Sequence, residues 1–212
     1  MPKRNTWVIK LGGSLIGSPD LVAWLDAIAK ISRSTRVIIV PGGGVFADVV
    51  RRAQTTLKLD DTVAHQMALQ GMRQFGVALE GLTKSKFSAA LSCTAEIKAS
   101  TVRGGVYIWD PCDPALGSSS LPRDWRVTSD SLSLWLCGEF PNSRLLLVKS
   151  ITPPASAVDT LSLAATNFVD DYFPVLRSSV TGPGWWLQRS HSHALPALVA
   201  GYPEQAQYIG EV

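Results

Sequence analysis

Trp7-Val8-Ile9-Lys10-Leu11-Gly12-Gly13-Ser14 and Val37-Ile38-Ile39-Val40-Pro41-Gly42-Gly43-Gly44 are two short, β-branched, apolar runs that each stop at consecutive glycines. Such a run, without polar alternation, reads as a strand buried on both faces of a parallel sheet. Each is followed by a segment with helical spacing. Glycine lacks a Cβ, so a glycine loop lets backbone N–H groups approach an anion at the start of the next helix. Lys10 stands just before the first glycine pair, within reach of that anion. Two such loops at the ends of neighbouring strands make a phosphate cradle, with Gly12, Gly13, Ser14, Gly42, Gly43 and Gly44 as its candidate residues. The competing reading is that the glycines only permit tight strand-to-helix turns.

Outward from these strands, Ser18-Pro19-Asp20 opens a helix, with Ser18 as N-cap and Pro19 at the first helical position. Leu21, Trp24, Leu25, Ile28 and Ile31 then recur at helical spacing. Strand, helix, strand without a hairpin signal predicts a right-handed βαβ unit. Further helices are expected over 45–55, 61–79, 83–91 and 161–168. Another begins near Asp130, capped by Ser129 or Asp130. Strands are expected over 94–98, 106–109, 144–148, 185–188 and 198–200, and a loop over 113–123. The pattern predicts an α/β protein, one domain over 1–212.

The chain has 212 residues, 46% of them hydrophobic and 17% charged, with seven tryptophans, so it can bury a core and is not a disordered chain. A net charge of +3 spread over scattered basic residues suits a small anionic ligand, not nucleic acid. Three widely spaced cysteines without a CxxC pair read as reduced thiols. Met1-Pro2-Lys3-Arg4-Asn5 leads into a strand carrying Lys10 rather than a long apolar core, so neither a signal peptide nor a membrane span is expected, and a cytoplasmic location follows.

The chemistry gathers at predicted strand ends. Arg144-Leu145-Leu146-Leu147-Val148 ends in Lys149, and Thr128-Ser129-Asp130-Ser131 opens a helix. In an open α/β sheet ligands bind at the strand carboxyl ends. Two ammonium groups and backbone amides supply the charge neutralisation and alignment that phosphoryl transfer needs. Asp130 would orient the two lysines, or simply cap its helix. The loops are neither a Walker loop nor a dinucleotide GxGxxG.

Lys10-Leu11-Gly12-Gly13-Ser14, Pro41-Gly42-Gly43-Gly44, Thr128-Ser129-Asp130-Ser131 and Leu146-Leu147-Val148-Lys149, in this order and spacing, resemble the amino-acid-kinase superfamily over roughly residues 6–150. The resemblance implies a three-layer α/β/α sandwich around a mainly parallel sheet, with an acceptor side over about 1–120 and a nucleotide side over about 121–212. It implies that Lys10 and Lys149 stabilise the transferred phosphoryl group. It also implies that Gly12, Gly13, Gly43 and Gly44 contact phosphates or acceptor through their amides, and that Asp130 holds the lysines. ATP would be the donor, with Mg2+ carried largely on its phosphates and no protein-only metal site. Family members are commonly homo-oligomers, and the apolar faces of 21–31 and 61–79 are the expected contacts.

A closer resemblance, to the small kinases of methanofuran biosynthesis, rests on Gly44-Val45-Phe46-Ala47-Asp48-Val49-Val50-Arg51, His65-Gln66-Met67-Ala68, Met72-Arg73-Gln74-Phe75-Gly76 and the block from Trp125 to Trp135. It implies a small phosphorylated metabolite as acceptor, an aminomethyl-furanmethyl phosphate converted to its diphosphate. A carboxylate acceptor, or a nucleotide-binding subunit without catalysis, also fits the motifs. Many superfamily members carry Lys-x-x-Asp-Gly, whereas Lys149 is followed by Ser150-Ile151-Thr152-Pro153-Pro154. His65 reads as an acceptor-phosphate contact or a partly buried histidine, and Arg51 as an anion contact or part of a solvated helix face. His191 and His193 lack a third ligand, and Asp170-Asp171 fits a capped turn better than a magnesium site.

Overall fold

The computed structural model describes residues 6–87, 89–102, 104–155 and 159–210. The chain forms β1 (Thr6–Leu11), a 3-10 turn (Gly13–Leu15), α1 (Asp20–Ile31), β2 (Arg36–Pro41), α2 (Gly44–Leu57), α3 (Asp61–Thr83), β3 (Leu91–Ser92) and α4 (Thr94–Ala99). It continues through β4 (Gly105–Trp109), α5 (Pro114–Gly117), α6 (Ser129–Glu139), β5 (Arg144–Lys149), α7 (Thr160–Ala165) and α8 (Phe173–Arg177). Then come β6 (Gly184–Gln188), a second 3-10 turn (Ser192–Ala194), α9 (Leu195–Val199) and β7 (Gln207–Tyr208). The strands make one seven-stranded sheet in the order β3-β4-β2-β1-β5-β6-β7, parallel throughout except for β7 against β6.

Every residue of β1 and β2 is buried, as strands covered on both faces require. Trp7, Ile9 and Leu11 pack with Leu21, Trp24, Leu25 and Ile28 of α1 and with Leu195 and Leu198 of α9. On the other face Val8, Ile38, Val40, Leu145 and Leu147 pack with Leu132 and Leu136 of α6, Ile97 of α4 and Phe173 of α8. The result is the expected three-layer α/β/α sandwich. Alternation along a strand places Lys10 on the Val8 face and Lys149 on the Leu147 face, both toward α6. β1 pairs with β5 through Lys10 and Leu147, so the two lysines stand on adjacent parallel strands at their carboxyl ends.

Several elements differ from the sequence reading. Of the helix expected over 83–91, Ser88 lies outside the described residues and 84–87 and 89–91 are not helical: α3 ends at Thr83, whose hydroxyl donates to the Glu80 carbonyl. Phe87, Ala89 and Leu91, which all pack into the core, follow a period of two that suits extended chain. Residues 94–98 lie in α4 rather than a strand, because the Glu96 carboxylate accepts from Cys93 N at 2.8 Å, half of a capping box. Residues 198–200 end α9, where Pro196 presets a first helical turn and Leu195 and Leu198 share its buried side. β7 is a two-residue edge strand with exposed side chains, which no local pattern announces. Pro19, not Ser18, is the residue before α1, and the Ser18 hydroxyl accepts from Asp20 N. Thr128 precedes α6 in place of Ser129 or Asp130, and it makes no cap bond of its own.

Leu21, Trp24, Leu25 and Ile28 of α1 are buried in the core, as are Phe75 and Leu79 of α3, whereas Val22 of α1 and Val63 and Val77 of α3 are exposed. Among the described residues no helix is long and apolar enough to cross a membrane.

The two glycine loops interlock. A Cβ on Gly13 would lie 2.1 Å from Gly44 N, and one on Gly42 would lie 2.5 Å from Gly13 N. Gly44 has φ +49° and would meet Gly13 O at 2.7 Å. Gly42 N donates to Leu11 O at 2.9 Å, tying the second loop to the end of β1. Gly13→Ala should therefore destabilise the protein by about 1–3 kcal/mol, the usual cost of overpacking. Gly81→Ala, where a Cβ meets nothing within 4 Å on α3, should be neutral or stabilising. Urea midpoints check both, and a Gly13→Ala midpoint equal to wild type contradicts the interlock.

Candidate active site

β1 and β5 each end in a lysine, and the first turn of α6 lays a carboxylate between them. Lys10 Nζ stands 3.0 Å from Asp130 Oδ1, and Lys149 Nζ donates to Asp130 Oδ2 at 2.8 Å. All three side chains are buried. Lys149 Nζ also lies 4.8 Å from the centre of the Phe168 ring, a cation–π contact that covers its far side. Burial alone would push the Asp130 carboxyl up, but the Lys10 and Lys149 charges outweigh it and hold the group at about 2. Burial pushes Lys149 down, opposed by Asp130. Fully ionised, the trio carries one net positive charge.

A cavity of about 290 Å³ opens over this trio. Of the residues expected from sequence, Lys10, Gly12, Gly13, Ser14, Gly43, Gly44, Arg51, His65, Ser129 and Lys149 line it. Asp130 sits behind the lysines and Gly42 in the contact between the loops, so neither faces the cavity. A Cβ on Gly12 would stand 3.3 Å from the Val148 carbonyl oxygen, a tight fit against β5, and 3.6 Å from Lys10 Nζ, an ordinary contact. Gly13, Gly42 and Gly44 let the loops interlock, as the turn reading of these glycines requires, and Gly12 lines the cavity.

α2, α3 and the segment before α6 form the facing wall. His65 Nδ1 lies 3.1 Å from the Asp124 carbonyl oxygen. A carbonyl only accepts, so Nδ1 carries the proton. Burial pushes the His65 pKa down, so the ring is mostly neutral at pH 7 and its Nε2 is an acceptor there. Binding an anion through Nε2 requires the ring to take up a proton. The Arg51 guanidinium lies 4.3 Å from the centre of the Trp125 ring and 2.9 Å from Asp48 Oδ1. Trp125 Nε1 donates to Gln54 Oε1 at 2.6 Å, which fixes the indole against α2. Trp125 lines the cavity and is a site residue that the sequence reading left without a role. A second cavity of about 360 Å³ shares His65 and Leu69 with the first. His191 and His193, 5.7 Å apart between ring centres, have no third ligand, and no group of three or more His, Cys, Asp or Glu among the described residues is placed to hold a metal ion.

The depressed Asp130 pKa fixes a stability window. The carboxylate contributes stability above the unfolded-state value near 3.8, and the contribution is lost as pH falls through about 2. Asp130→Asn should cost about 3–5 kcal/mol at pH 7, because it leaves two buried ammonium groups unpaired. The gap to wild type should narrow by about 2 kcal/mol as pH falls from 4 to 2. Urea unfolding across that range measures it, and a gap independent of pH would contradict the ion pairing.

The model of the Amino acid kinase family matches residues 5–151. A [5-(aminomethyl)furan-3-yl]methyl phosphate kinase of Methanocaldococcus jannaschii is 25% identical over 188 residues, covering 80% of this chain and 81% of that protein. The crystal structure of uridylate kinase from Archaeoglobus fulgidus superposes with a TM-score of 0.68 at 15% identity, over 97% of this chain and all of that one, which shows the shared fold. The family match spans the strand ends, both glycine loops, Asp130 and Lys149, and on that footing the chain belongs to the amino acid kinase family.

Proposed function

We propose that this kinase transfers the γ-phosphoryl group of ATP to a small phosphate monoester, with aminomethyl-furanmethyl phosphate as the specific acceptor and its diphosphate as product. The observation that carries the reading is the Lys10–Asp130–Lys149 trio at the floor of a cavity walled by two glycine loops. Phosphoryl transfer needs little covalent help from a protein; it needs alignment and positive charge on the moving group. Lys10 and Lys149 would supply the charge, and Asp130 would keep both ammonium groups converged. The acceptor oxygen bonds to the γ-phosphorus as the bond to the β–γ bridging oxygen breaks, with no covalent enzyme intermediate. A phosphate monoester is already an oxyanion near neutral pH, so no general base has to remove a proton. Mg2+ would arrive on the nucleotide phosphates and neutralise charge that develops on them.

The acceptor side draws support from the cavity's composition. Its net positive floor, with Arg51 on the wall, suits an acceptor that carries a phosphate. Asp48, also lining the cavity, offers a carboxylate to an acceptor's ammonium group. The relative from Methanocaldococcus jannaschii supports this choice among phosphate monoesters. The intact trio weighs against a subunit without catalysis, despite the missing Asp-Gly after Lys149.

ADP release from Mg-ATP, with phosphorylated and carboxylate acceptors offered side by side, tests the proposal. Turnover should depend on a phosphate monoester and be fastest with aminomethyl-furanmethyl phosphate. Turnover only with a carboxylate would overturn the acceptor, and silence with ATP bound would overturn catalysis. Lys10→Ala should lower kcat by about a hundredfold or more, measured at a temperature where circular dichroism shows the variant folded.

A further inference from the structure

We infer that Asp170 is a positioning residue for this reaction: it pins the first turn of α6, and with it Asp130, so that one carboxylate meets both lysines. The inference about catalysis rests on the function proposed above. Asp170 Oδ2 accepts from Thr128 N at 2.8 Å, from Thr128 Oγ1 at 2.7 Å and from Ser131 N at 3.0 Å. Asp170 Oδ1 accepts from Ser131 Oγ. The carboxylate therefore grips the residues on either side of the Ser129-Asp130 pair. A second strap lies beside it, where Tyr172 N donates to Arg126 O at 3.1 Å.

Helix N-termini leave amides without intrahelical partners, and a serine, threonine or aspartate at the N-cap usually satisfies them locally. Thr128 occupies that place in α6 and makes no cap bond. Its hydroxyl instead turns to a carboxylate 42 residues further along the chain. A local cap would stabilise the helix but leave it free to shift as a body. A cap anchored on the segment before α8 fixes the helix relative to the sheet. The geometry demands that: Asp130 must reach ammonium groups on two adjacent strands at once, and a displacement of about 1 Å is enough to lose about a hundredfold in rate. The arrangement is costly for the fold. Burial and the Asp130 charge both push the Asp170 carboxyl up, so the carboxylate is held at the helix start against its own desolvation and a like charge. The family match ends at residue 151, so the group that organises Asp130 lies outside the part of the chain that carries the family motifs.

A double-mutant cycle in urea at pH 7 tests the positioning without any acceptor. Ser131→Ala removes the Ser131 hydroxyl's bond to Asp170 and leaves every charge in place, whereas Asp170→Asn removes the charge as well. If Asp170 holds Asp130 in register, the destabilisation caused by Asp130→Asn should fall to about half or less in either background. An unchanged cost in the Ser131→Ala background overturns the inference. A cost that rises in the Asp170→Asn background also overturns it, because that outcome reports only relief of like-charge repulsion. Kinetics supply the second readout. With ATP and aminomethyl-furanmethyl phosphate, Asp170→Asn should lower kcat about tenfold or more while KM for ATP stays within about threefold. An unchanged kcat overturns the catalytic role. A wild-type protein that does not turn over this acceptor removes the proposed substrate instead, and the urea cycle still decides the positioning.

Discussion

One carboxylate, buried between two ammonium groups, is the constraint on which the site depends. Each charge is unaffordable alone: a lysine or an aspartate taken out of water must be paired or lose its charge. Together they persist because Asp130 reaches Lys10 at 3.0 Å and Lys149 at 2.8 Å. That requirement fixes the rest. The lysines must stand on adjacent parallel strands and on one face. The carboxylate must come from a helix start directly above them. The loops that follow the strands must leave the ammonium groups uncovered.

The sheet order meets these needs. β1 lies at the centre, between β2 and β5, so its end is flanked by one glycine loop from β2 and by Lys149 from β5. Parallel pairing brings all these ends to one edge of the sheet. Gly13, Gly42 and Gly44 let the two loops touch backbone to backbone. The cavity then has one surplus positive charge at its floor and an arginine, a neutral histidine and an indole opposite.

Much of this was legible in the sequence because the signals are local and strong. β1, β2 and β5 are mostly apolar runs that end at glycines or at a lysine, and helical spacing marks α1 and α3. Lys10, the loop glycines, Ser129, Asp130 and Lys149 were legible for the same reason, since each stands where an element begins or ends, whereas Arg51 and His65 lie within α2 and α3. What escaped has no local signal. Phe87, Ala89 and Leu91 alternate over too few residues to outweigh the helix before them. Cys93 is an unusual residue before a helix, so the Glu96 capping partner went unread. Trp125 becomes part of the site only through Gln54 and Arg51 on α2, far away in the chain. Asp170 reads as a turn residue, and its bonds to Thr128 and Ser131 are made only by the folded chain.

On the proposed function, Lys10 and Lys149 act on the phosphoryl group in transit rather than on bound nucleotide. Interactions stronger in the transition state than in the ground state are what raise kcat. Calorimetry of the Lys149→Met variant measures this most directly, comparing ADP alone with ADP, magnesium and aluminium fluoride, a mimic of the planar transferring group. The account predicts that affinity for the fluoride complex falls by about a hundredfold while affinity for ADP stays within about threefold. Equal losses for the two ligands, or no loss for either, would contradict it.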